Sequence, residues 1–213
     1  MRRFAFALAS AILVLPLGAG AADRTAWAML ESLRAGLAAE GRLSADFTQV
    51  YTPAGFSTGE IATGRLALSL PDCLRWDYFS PDTKSFLLCS QDAYAWTEGD
   101  IEGRHQRVEA RDEPGLDLLL LPMDHLRQRY DATIKSTSAG ATIILVPRSD
   151  PATKKNASPL QATIELDPTG KRLLSLSYFD RDNNRTQFTI AGYKPISDRK
   201  LFLPPEALRW HED

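Results

Sequence analysis

The chain has 213 residues, with 25 Lys and Arg against 27 Asp and Glu and a formal net charge of −2. A mildly acidic chain without a basic block argues against a nucleic-acid partner. Two cysteines and three scattered histidines offer no metal-ligand spacing and imply no cofactor.

Taken in order, the chain opens with Arg2 and Arg3, then an apolar run over residues 4–17 broken only by Ser10. Ala19-Gly20-Ala21 follows as a small-residue cleavage site. This pattern predicts a secretory signal peptide over residues 1–21, cut before Ala22 and too short to span a membrane as a helix. Gly20 stands where a lipidated cysteine would have to be, so the exported chain is expected to be soluble and unanchored. Residues 22–213 are then expected to form one domain with a sizeable core. Loss of Arg2 and Arg3 takes the 25 basic residues to 23, against the same 27 acidic ones.

Residues 24–40 read as an amphipathic helix, with Trp27, Leu30, Leu33 and Leu37 at helical spacing and Gly41 as the stop. From there the hydrophobic period changes to two. Residues 43–51 and 61–70 alternate, the second with Leu66, Leu68 and Leu70 on one side. A hairpin follows around Ser80-Pro81-Asp82. If residues whose numbers sum to about 162 face each other, Leu74 meets Leu88 and Trp76 meets Phe86 on an apolar face. Cys73 meets Cys89, Arg75 meets Leu87 and Asp77 meets Ser85 on the other. This register predicts a cross-strand disulfide between Cys73 and Cys89, in a compartment where disulfides persist.

Further strands are expected over residues 93–97, 105–109, 132–136, 141–146, 161–166, 173–179 and 186–191, with turns at Asp167-Pro168-Thr169-Gly170 and Asp182-Asn183-Asn184. Residues 112–130 interrupt them. There Pro114 precedes a Leu-rich run containing Leu116, Leu119, Leu120 and Leu121, and Pro122 separates it from a short helix carrying Met123, Leu126 and Tyr130. The fold class is mainly β: one curved antiparallel sheet of about ten or eleven strands, an unclosed barrel. The first helix and the Leu-rich insertion are the candidates to cover its concave face, the insertion as a lid.

No catalytic constellation is visible. The histidines have no nucleophile motif around them, and there is no glycine-rich phosphate loop. Phe47, Trp76, Tyr78, Phe86, Trp96, Tyr178 and Phe188 have two readings, as packed core or as the lining of an apolar cavity. The pattern alone leaves both open.

These residues also carry a resemblance. Phe47-Thr48-Gln49, Gly64-x-Leu66-x-Leu68, Pro71, Leu74-Arg75-Trp76-Asp77-Tyr78, Pro81, Trp96 and Phe202-x-Pro204-Pro205 occur in an order and spacing that resemble the periplasmic outer-membrane lipoprotein carriers of the Lol pathway (LolA type). The match runs from Trp27 to about Pro205. It implies an unclosed barrel of about eleven strands under a helical lid. It also implies a carrier without catalysis or cofactor, a likeness to monomeric proteins, and three partners: acylated lipoproteins, an inner-membrane exporter and an outer-membrane receptor. The cavity lining it implies is Phe47, Leu66, Leu68, Leu74, Trp76, Tyr78, Phe86, Leu88, Trp96, Leu176, Tyr178 and Phe188; if that face is a cavity that lipid enters, Trp76 is only partly packed, and if it is a filled core, Trp76 is fully packed. The chain departs from the pattern at Leu70, where the family commonly has a lid-holding arginine. It departs again at Gln91-Asp92 in place of Asp-Gly, and in having Cys73 and Cys89. A carrier of other lipids or lipid-linked molecules, and a periplasmic sensor or regulatory module of related fold, are the alternative readings.

Overall fold

The period-two alternation is realised as one large sheet. A computed structural model describes residues 19–107, 117–148 and 161–212, so residues 1–18 of the signal-peptide segment lie outside the described residues. Helix α1 (Ala19–Ala39) leads into strands β1 (Leu43–Thr52), β2 (Glu60–Ser69), β3 (Cys73–Ser80), β4 (Lys84–Cys89), β5 (Asp92–Thr97) and β6 (Glu102–Arg107). Two short helices, α2 (Asp117–Leu120) and α3 (Met123–Arg129), precede β7 (Tyr130–Thr137), β8 (Gly140–Pro147), β9 (Gln161–Leu166), β10 (Leu173–Phe179), β11 (Arg185–Pro195) and β12 (Arg209–Glu212). In space the order is β12-β6-β5-β4-β3-β2-β1-β11-β10-β9-β8-β7. The two edge strands do not pair with each other, so the barrel is unclosed.

The hairpin register is as the sequence requires: Cys73 faces Cys89, Leu74 faces Leu88, Trp76 faces Phe86 and Asp77 faces Ser85. Cys73 and Cys89 are disulfide-bonded. Two strand expectations are corrected. The sixth strand begins at Glu102 rather than His105, and its expected end at residues 108–109 lies outside the described residues. Strand β12 is an addition, and it runs parallel to β6. Arg209-Trp210-His211-Glu212 has no alternating apolar pattern to announce it. It is held instead by Trp210, whose indole occupies the space a side chain at Gly103 would need.

The main core fills the concave face. Ala26, Trp27, Leu30, Leu33 and Leu37 bury one side of α1, which packs chiefly on β7. Tyr130, Ala132, Ile143, Leu145, Ala162, Ile164 and Leu166 supply the sheet beneath. A second, smaller cluster lies on the convex face, where Phe202 covers Ala67 and Leu87 and the disulfide packs beside them. The C-terminal segment therefore seals a face that alternation alone marks as mostly polar.

Candidate functional site

The helices cover only part of the concave face. Leu119 of α2 closes a void of about 20 Å³ over Phe47, Leu66, Trp76, Leu173, Leu176, Phe188 and Ile190, at the middle of the sheet. Towards β6 the face is open, and it forms a cleft of about 410 Å³. Trp76, Tyr78, Phe86, Leu88, Ala93, Ala95, Tyr178 and Phe188 line that cleft, with Gln49, Arg104 and Gln106 as polar members.

Sheet register explains the shape. One cross-strand row runs Leu66, Trp76, Phe86, Ala95, Arg104, and the next runs Leu68, Leu74, Leu88, Ala93, Gln106. Each row begins in the core, passes a large apolar side chain, drops to alanine and ends polar. The two alanines of β5 provide the depth. Phe86 is left 40 % exposed, a large apolar surface held open to solvent within a concavity.

Aromatic rings form a continuous wall. Phe188 meets Phe47 edge-on at 5.8 Å, Phe47 meets Tyr78 at 5.0 Å, and Tyr78 meets Phe86 at 5.9 Å. Gly64 makes this possible, since a side chain there would lie 2.7 Å from the Phe47 ring and 2.1 Å from the Asp77 carbonyl oxygen. The Tyr78 hydroxyl donates to Gln49 Oε1 at 2.6 Å. Burial, with Tyr178 nearby, pushes the Tyr78 phenol well above its ordinary value, so it remains a neutral donor.

The expected cavity residues separate into groups. Trp76, Tyr78, Phe86, Leu88, Tyr178 and Phe188 line the open cleft, while Phe47, Leu66 and Leu176 line the small void under the lid. Leu68 and Leu74 are closed core, at 1 % and 0 % exposure. Trp96 is corrected: it faces Ser85 and sits on the convex side with Arg75 over its ring at 5.0 Å, because β5 places Tyr94 and Trp96 opposite Ala93 and Ala95. Trp76 is also fully packed rather than partly packed, at 5 % exposure. In the lid, Leu119 and Leu121 are buried and Leu120 packs against the core. Leu118 of the same Leu-rich run is buried with them, and Leu116 lies outside the described residues.

Gln49, Ala93, Ala95, Arg104 and Gln106 were missed. Continuing the hairpin register by two strands would have found the last four, since Ala93 and Ala95 alternate with two aromatics. The lid is tied to α1, where Arg34 donates to the Leu121 carbonyl and lies 3.2 Å from Met123 Sδ, while Arg127 pairs with Glu31 at 2.7 Å. Burial pushes the Arg34 guanidinium below its ordinary value, against the raising influence of Glu31.

The site is thus an apolar cleft on a curved, unclosed sheet, partly covered by short helices. Residues 41–203 match the model of the family described as outer membrane lipoprotein carrier protein LolA, and the chain belongs to that family. Among solved structures it is similar to an uncharacterized conserved protein from Thermus thermophilus, at 9% identity and TM-score 0.56, covering 89% of this chain and 99% of that one. A DUF1329 family protein from Desulfovibrio piger is similar at 8% identity and TM-score 0.53, covering 88% and 99%. MucB, solved alone and, from Pseudomonas aeruginosa, with MucA, is similar at 11% identity and TM-score 0.50, covering 86% of this chain and 64% of MucB. These likenesses are of fold. A comparison with curated protein sequences finds no match.

Proposed function

We propose that this protein is a periplasmic carrier that holds the acyl chains of lipoproteins in the concave cleft. In this reading residues 1–21 are removed on export and residues 22–213 act as one monomeric domain, without catalysis or cofactor. Cargo is received from an inner-membrane exporter and given to an outer-membrane receptor. The observation that carries the reading is the open cleft itself, about 410 Å³ with Phe86 standing 40 % exposed in it. Membership of a lipoprotein carrier family supports it. No helix among the described residues is long and apolar enough to cross a membrane.

Affinity is the physical constraint on such a carrier. Burying an acyl chain stabilises the complex by about 0.8 kcal/mol per methylene, so a deep, closed cavity would not release its cargo. A cleft open along β5 and β6 buries a chain on one side only, which keeps transfer possible. Mass spectrometry of the protein purified from its own periplasm tests this. Co-purifying triacylated lipoprotein is the expected result, and a tightly bound protein regulator with no acylated ligand would defeat the reading.

A further inference from the structure

The cleft is apolar along its floor and changes character at its rim. Both cross-strand rows that form the floor end on β6, in Arg104 and Gln106. Arg104 is exposed, and among the described residues its side chain makes no hydrogen bond or ion pair. The neighbouring carboxylate on the same face of β6, Glu102, is taken by Arg209 at 2.8 Å and by His211 at 3.0 Å. The charge of Arg104 is thus left unneutralised by Glu102, at the edge of an apolar concavity.

We propose that this rim is a head-group subsite for an anionic oxygen group, a carboxylate or a phosphate, carried by an amphiphile whose acyl chain lies in the cleft. The proposal rests on the acyl-binding reading above and goes beyond it, to a ligand whose chain ends in an anion. Three strand spacings separate the Trp76 row position from Arg104, roughly 14 Å at about 4.8 Å per strand. A chain laid across Phe86 and Ala95, its tail against Trp76 and Phe188, brings its head to Arg104. There the guanidinium offers paired N–H donors that match a carboxylate or phosphate, and Gln106 adds a neutral donor.

The test is calorimetric titration of the purified protein, below micelle-forming concentrations, with palmitate, palmitoyl-lysophosphatidylglycerol and neutral monopalmitoylglycerol. At least one of the two anions is expected to bind about tenfold or more tightly than the neutral lipid, and which one does identifies carboxylate or phosphate as the head. Arg104→Gln should remove that tenfold preference. Lys135→Gln, a charge loss on the far edge strand, should keep it. Equal binding of all three lipids, or a preference that survives in Arg104→Gln, overturns the head-group subsite and leaves acyl binding standing. Failure of any amphiphile to bind overturns this inference, and the acyl-binding reading falls with it only if a triacylated peptide also fails to bind.

Discussion

Trp76 and Phe188 belong both to the open cleft and to the small void under Leu119. They form the partition between what solvent reaches and what the lid seals. Because Trp76 is 5 % exposed, Trp76→Ala should cost about 3–5 kcal/mol in a denaturant melt, as for any large core side chain. Packing on one side does not exclude contact with ligand on the other. Titration of the wild type with triacylated and unacylated versions of one peptide should therefore change the intensity of tryptophan emission only for the acylated form. An unchanged spectrum would remove Trp76 from the binding surface and leave it as core alone.

At the scale of elements, the joints between helices and sheet are polar and specific. The run 117–121 has its last carbonyl anchored on Arg34. Arg34→Gln should accelerate amide hydrogen exchange in residues 117–123, with about 1 kcal/mol or less lost globally. Uniform exchange across α2 and α1 would show that the lid is held by its leucines instead. Leu119→Ser should cost about 3 kcal/mol, since that side chain fills the middle of the face, whereas Leu120→Ser, at a half-buried position, should cost clearly less in the same melts.

The far end of α1 is joined to the β9–β10 turn by Glu40 and Arg172, which form a two-bond ion pair. The Arg172 hydrogen bond draws the Glu40 carboxyl below its ordinary value. Burial pushes the Asp167 carboxyl up, but the Thr169 hydroxyl and the backbone N–H groups of Lys171 and Arg172 outweigh it, and the net shift is downward. Both groups therefore contribute stability that is fully present above their unfolded values, about pH 4, and is lost as pH falls through the lower folded values. Melts followed from about pH 6 to pH 3 should show this loss. The double variant Glu40→Gln, Asp167→Asn should flatten it.

For the whole molecule, the two faces of the sheet have separate tasks. The concave face divides between lid-covered core and open cleft. The convex face near β3 and β4 is closed by Phe202 and the Cys73–Cys89 disulfide. Reduction should lower stability by about 3 kcal/mol on the chain-entropy model for a loop of about fifteen residues. It should leave acyl binding in place, because the bridge faces away from Trp76 and Phe86. Paired melts and lipid titrations with and without reductant check this, and loss of binding at unchanged stability would contradict the separation of faces.

Strand period, turn residues and the pairing of Cys73 with Cys89 were determined by the sequence alone. A period of two leaves one register that hides the apolar side, and a slip by one residue would invert it. The Leu-rich insertion was legible for the same reason, since a greasy run between two prolines has to be covered. What alternation could not decide is which stretch of a continuous apolar face stays uncovered. Leu68 and Leu74 carry the same pattern as Leu88, yet two are sealed and one lines the cleft, because α1, α2 and α3 reach only part of the sheet. Nor could it decide that Trp96 turns outward while Ala95 turns in, or that Arg209–Glu212 adds a parallel strand beside β6. Those outcomes depend on neighbours distant in the chain, and only the folded sheet brings Arg104 to the rim of the cleft that Trp76 begins.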